Sequence, residues 1–97
     1  QDVIEKLGFI IQDLTDEISQ KFGYENINGV IISNVQANSP AALAGLRPGM
    51  LIIEVNRSNV SNAADFDKAF QASRDTNNLL LLVRDRQFVR YVSFPLQ

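Results

Sequence analysis

The side chains that carry most acid–base and covalent chemistry at neutral pH are missing, since the chain has no histidine and no cysteine. Without them there is no Ser-His-Asp or Cys-His relay, no thiolate nucleophile, no disulfide and no conventional zinc site. The carboxylates do not fill that gap. Asp16 and Glu17 follow Thr15 directly, where acids complement the positive end of a helix dipole, so they read as helix-start electrostatics. Arg84, Asp85, Arg86 and Arg90 read as a solvated hairpin, with a protein–protein contact as the sharper alternative. An independent enzyme is set aside on this inventory, and no catalytic residue, metal or cofactor is expected. What remains is binding by backbone groups and apolar surface.

Ninety-seven residues bound a single domain, at the small end where roughly 60–70% of the unfolded surface becomes buried. An apolar fraction of 45% and a charged fraction of 21% are those of an ordinary globular protein. The net charge of −2 disfavours a binder of phosphate backbones, so no nucleic-acid partner is expected. No apolar run approaches the roughly 18–20 residues of a membrane span. The longest, Leu79 to Val83, has the length of a strand. The opening Gln1 to Lys6 shows no basic stretch followed by an apolar one, so no signal peptide is visible. A start on Gln instead of Met gives the expectation of one domain, residues 1–97, excised from a longer chain.

The elements follow from local chemistry. Phe9 to Leu14 reads as a largely buried strand, and Thr15 as the N-cap of a short helix that carries Ile18 and Phe22 on one face and stops at Gly23. Asn28-Gly29 marks a turn before the strand Val30 to Val35. Ser39 caps a second short helix, with Pro40 at its first position, small Ala41, Ala42 and Ala44 along it and Gly45 at its end. Arg47-Pro48-Gly49-Met50 reads as a type II turn into a central strand, Met50 to Asn56. Asn62 or Ser61 caps a longer helix over Ala63 to Ser73, striped by Phe66, Ala69, Phe70 and Ser73. Asn78 to Arg84 and Gln87 to Phe94 are the last strands, with Asp85-Arg86 as the turn, although a type I′ turn prefers glycine where Arg86 stands. Five or six strands with two or three helices give an α+β fold, a partly open barrel or sandwich capped by helices.

The block from Gly29 to Asn56, with Ser39-Pro40-Ala41-Ala42 and Ala44-Gly45-Leu46-Arg47-Pro48-Gly49 at its centre, closely resembles a PDZ domain. The version it resembles is that of bacterial HtrA/Deg-type serine proteases, and the C-terminal or second PDZ of such a protease in particular. Cap, tight helix, helix stop and type II turn fall in one register, which makes the match specific to the fold. The resemblance implies the permuted bacterial topology, in which the C-terminal strand takes the place of the animal domain's first. Two departures stand out: Met50 where an Asp is usual, and Arg57 where a glycine is usual. No histidine can stand at the start of the groove helix, so histidine-to-Ser/Thr recognition of a peptide is not available.

The same resemblance implies a site. The N–H groups of Leu7, Gly8 and Phe9 would form a nest for a peptide's terminal carboxylate, which is costly to desolvate without several donors. Lys6 would add a nearby positive charge. The peptide would pair as an extra strand beside Phe9, Ile10 and Ile11, if that edge is open. Its last side chain would enter a pocket of Leu7, Phe9 and Ile11 with Ala69 and Ala72 from the helix, while Asp65 would face the third residue from its end. Phe66 and Phe70 read as core.

Two functions compete. One is a non-catalytic peptide-binding module of an HtrA-like periplasmic or cell-envelope protease, which takes C-terminal or unfolded segments and serves a protease domain in the same chain. The other is an assembly domain that holds protease subunits in a homo-oligomer, with its groove unused or closed. A groove filled by side chains such as Phe9 or Phe70 would favour the second.

Overall fold

The computed structural model describes residues 7–24, 27–73, 78–85 and 88–95. In chain order they form β1 (Phe9–Asp13), α1 (Asp16–Phe22), β2 (Val30–Val35), α2 (Pro40–Leu43), β3 (Leu51–Val55), β4 (Ser58–Asn59), α3 (Ala63–Ser73), β5 (Asn78–Arg84) and β6 (Val89–Pro95). The strands make one six-stranded antiparallel sheet in the order β1-β2-β3-β5-β6, with β4 paired to β3. The sheet is open and does not close into a barrel, which makes the expected α+β fold a curved sheet with helices packed on it.

Side-chain alternation divides the sheet into two apolar faces. Val30, Ile32, Ile52, Val55, Leu79, Leu81 and Val83 point into the main core, where they meet Phe66 and Phe70 of α3. Their strand neighbours Ile31 and Leu51 point the other way and join Tyr24, with Leu14, Ile18, Phe22, Ile27 and Ile53 packed around them. The face over β2 and β3 therefore carries α1, and the face toward the main core carries α3.

The helix ends behave as their residues dictate. Thr15 accepts the Ile18 N–H at 3.2 Å, and Gly23 leaves α1 in the left-handed region at φ 77°. Ser39 accepts the Ala42 N–H at 3.2 Å, with Pro40 opening α2. The type II turn closes by Met50 N–H to Arg47 C=O at 3.3 Å with Gly49 at φ 95°. Between β3 and β4 the two-residue turn sets Asn56 at φ 50° and Arg57 at φ 70°, the two positive angles of a type I′ hairpin. Asn56 also bridges to β5, donating its N–H to Leu80 C=O at 2.7 Å and accepting the Leu80 N–H on Oδ1 at 2.8 Å. At the β5–β6 reversal, Asp85 N–H meets Phe88 C=O at 3.0 Å; Arg86 of the expected Asp85-Arg86 turn lies outside the described residues. Among the described residues, no helix is long and apolar enough to cross a membrane.

Candidate functional site

Leu7-Gly8-Phe9 forms a rigid entry to β1. Gly8 sits at φ 85°, and a Cβ there would collide with Ser39's Cβ and lie 2.7 Å from its Oγ. Only glycine satisfies both conditions. The carbonyls of this loop are already taken: Leu7 C=O accepts the Ala41 N–H at 3.0 Å, and Gly8 C=O accepts the Gln36 N–H at 2.7 Å. Among the described residues, the Gly8 N–H meets no protein acceptor. The loop is thus held by its acceptors against the start of α2 and the residue that follows β2.

Backbone direction along β1 follows from the same bond. Antiparallel residues alternate between facing the partner strand and facing away. Gly8 faces β2 through Gln36, so Phe9 faces away. Ile32 gives its N–H to Met50 C=O at 2.8 Å on the β3 side, so its neighbour Ile31 faces β1 and pairs with Gln12. Ile11 therefore also faces away from β2. The irregularity between Ile10 and Ile11 falls on β2, where Ser33 is the extra residue and donates its hydroxyl to Ile10 C=O at 3.3 Å. Among the described residues β1 pairs only with β2, which leaves the N–H and C=O groups of Phe9 and Ile11 on the sheet edge away from β2, at a half-buried position for Ile11 and a fully buried one for Phe9. Ile10 turns its own backbone inward.

Across that edge stands α3, held to β1 at two points. The Phe9 and Phe66 rings meet edge to face with centroids 6.2 Å apart, and Asp13 Oδ1 accepts the Ala63 N–H at 2.7 Å. Phe66 in turn stacks on Phe70 at 6.2 Å. Phe9, Phe66, Phe70 and Leu7 are fully buried, whereas Ile11 and Ala69 are half-buried over the same core. The cleft floor open to solvent is thus shallow, with the aromatic rings beneath it.

The remaining expected residues lie elsewhere on α3. Asp65 takes part in a reciprocal cap: Asn62 Oδ1 accepts the Asp65 N–H at 2.8 Å, and Asp65 Oδ2 accepts the Ser61 N–H at 3.1 Å. Asp65, Ala69 and Ala72 line a 390 Å³ hollow with Lys68 and with Ser58 and Asn59 of β4. Leu7, Phe9 and Ile11 are not part of that hollow. Lys6 lies outside the described residues. Two residues that fix the spacing of β1 and α3 were not among the expected site residues. Phe66 reads from sequence as plain core, and Asp13 is 50 positions from the amide it caps, a pairing that no local pattern announces.

With this geometry in place, comparison with known proteins is direct. The profile described as "PDZ domain" matches residues 31–84, more than half of the chain. A periplasmic serine endoprotease described as DegP-like, from Chlamydia muridarum, is 37% identical over 90 residues, covering 92% of this chain and 18% of its own length. A DegP-like relative from Rickettsia prowazekii is 46% identical over 57 residues, 59% of this chain and 11% of its own. The chain therefore spans about a fifth or less of the curated relatives it matches. Among solved structures, the HtrA3 PDZ domain bound to a phage-derived ligand superposes with a TM-score of 0.77 at 22% identity, over 92% of this chain and 81% of that one. The HtrA-type protease AlgW with a decapeptide gives 0.73 at 22% identity, over 92% of this chain and 27% of the other. Sequence profile, relatives and backbone agree with the order of elements found here, and the chain belongs to the PDZ domain family, in the form carried by DegP-like HtrA serine proteases.

Proposed function

We propose that this domain captures C-terminal or unfolded apolar peptide segments for an HtrA-like serine protease by adding them as a strand to the β1 edge. The observation that carries the reading is the outward backbone of Phe9 and Ile11 beside the Gly8 loop, whose carbonyls are held by Ala41 and Gln36. The N–H groups at Gly8 and Phe9 receive the terminal carboxylate, and the peptide backbone pairs at Phe9 and Ile11. Ile10 flanks the added strand without bonding to it. The floor for the last side chain lies at Ile11 and Ala69, with Leu7 and Phe9 supporting it from below. HtrA3 and AlgW are each described with a peptide ligand, which supports this reading of the cleft. Affinity for so short an interface is expected near micromolar, roughly −8 kcal/mol. The rest of the reading comes from relatives named as periplasmic endoproteases: a periplasmic location and service to a protease domain in the same chain.

Calorimetric titration with peptides ending in Val, Leu or Phe, each free and C-terminally amidated, tests it. A clear loss of affinity on amidation is expected, and equal affinity removes the carboxylate nest.

The assembly reading has its own support. Phe9, Phe66 and Phe70 fill the space under the cleft, and the other end of the sheet, β6, exposes Val89 (47%) and Tyr91 (55%). Sedimentation of the full-length protease with and without Tyr91→Asp separates the two readings, because only a subunit contact through β6 would shift the oligomer.

A further inference from the structure

The cleft between β1 and α3 has its two walls tied together at one end. Asp13, the last residue of β1, accepts on Oδ1 the N–H of Ala63, the first residue of α3, at 2.7 Å. The neighbouring caps are local to the helix, since Asn62 Oδ1 accepts the Asp65 N–H and Asp65 Oδ2 accepts the Ser61 N–H. Ala63 is capped from the opposite wall. Asp13 is exposed, so this bond stands at the surface and not beneath the ring floor of Phe9 and Phe66.

Register puts Asp13 in the path of an added strand. Gln12 pairs with Ile31 and faces β2, so Asp13, like Phe9 and Ile11, turns its backbone away from β2. A terminal carboxylate at Gly8 and Phe9 lies at the start of β1. The added segment therefore runs antiparallel to β1, and its upstream residues head toward Asp13. The steps from Phe9 to Asp13 cover about 13 Å, which sets the last residue near Phe9, the third from the end near Ile11 and the fifth at Asp13.

Width closes that path. With a side chain that reaches at most about 4 Å from Cα to Oδ1 and a bond of 2.7 Å, the Ala63 nitrogen lies within about 7 Å of the Asp13 Cα. A strand seated between the walls needs about 4.8 Å to β1 and a similar clearance to the helix backbone, about 10 Å in all. No extended chain passes between β1 and α3 there.

We propose that the Asp13–Ala63 bond is a clasp that makes the cleft blind-ended, so that it reads the last four residues of a chain end and excludes an extended internal segment. This rests on the strand-addition reading of the same cleft. Residues further upstream leave the cleft at Asp13 and add no strand pairing. Asp13 is thus a positioning residue, which sets the length read through the spacing of the walls.

Two free-acid peptides with a common ending test the clasp by calorimetry, acetyl-Ala-Thr-Ala-Val and acetyl-Thr-Val-Thr-Val-Ala-Thr-Ala-Val. Their affinities for the unaltered chain are expected to agree within about twofold. In the ¹⁵N-labelled long peptide, binding slows amide exchange only within the last four residues. Asp13→Ala raises the ratio of long to short affinity at least about fivefold, the effect of one added strand hydrogen bond. Asp13→Asn, whose amide oxygen still accepts the Ala63 N–H, keeps the ratio of the unaltered chain. A long peptide that binds the unaltered chain more than about fivefold tighter, slowed amides upstream of the last four, or an unmoved ratio in Asp13→Ala overturns the clasp and leaves strand addition standing. Equal affinity of the short peptide and its C-terminal amide, or no binding of either, overturns strand addition and the clasp together.

Discussion

Single residues hold this domain in unusual backbone positions, and these give the sharpest expectations. Gly8→Ala meets two penalties, a left-handed φ and the collision with Ser39, together about 2–4 kcal/mol. Chemical denaturation should show that loss, and adding Ser39→Gly should restore the steric part, since glycine keeps most of the cap. Arg57 stands at φ 70° in a turn that suits glycine. Arg57→Gly should therefore stabilise the domain by about 0.5–1 kcal/mol, read as a higher melting temperature with unchanged peptide affinity. Asn56 does the reverse work, since its side chain satisfies a β5 amide at 2.8 Å. Asn56→Ala should cost about 1–3 kcal/mol by leaving that donor unpaired. Of these, the turn glycines and the Arg57 departure were legible in the sequence. The Asn56 bridge was not, because its partner is 24 positions away and depends on how β3 meets β5.

At the scale of elements, the register of β1 against α3 decides whether a cleft exists. Caps and stops were readable one by one: Thr15, Ser39 and Asn62 all accept the amides their positions suggest. Which side of α3 faces β1 was not readable, since Phe66, Ala69, Phe70 and Ser73 share one apolar stripe that spans both flanks of the helix. The structure turns Phe66 to Phe9 and puts Asp65, Ala69 and Ala72 beside β4. Asp13 fixes the spacing from outside the helix. Asp13→Ala frees the Ala63 amide and should cost about 1 kcal/mol. It should also loosen the N-terminal turn of α3, seen as faster amide exchange at Ala63 and Ala64 than at Phe70. Unchanged exchange there would mean that the Asp13 contact does not hold the helix.

For the whole molecule, the fold was legible because several local rules agree within one stretch, from the Ser39 cap through the Gly49 turn to β3. Function is a property of what the sheet leaves open, and openness is a global fact. Both end strands, β1 and β6, lack a second partner among the described residues, yet of the two only β1 is faced by α3 and entered through a glycine loop. The missing histidine and cysteine fit that arrangement, since strand addition needs neither. The central claim is that Gly8 and Phe9 amides bind a terminal carboxylate and Ile11 pairs the peptide. Amide shifts of the ¹⁵N-labelled chain, followed with a peptide ending in Val as free acid and as amide, test it directly. The account predicts large shifts at Gly8, Phe9 and Ile11, smaller ones at Ile10, and an affinity at least about tenfold weaker for the amide. Equal affinities, or shifts that leave Gly8 and Phe9 untouched, would contradict it.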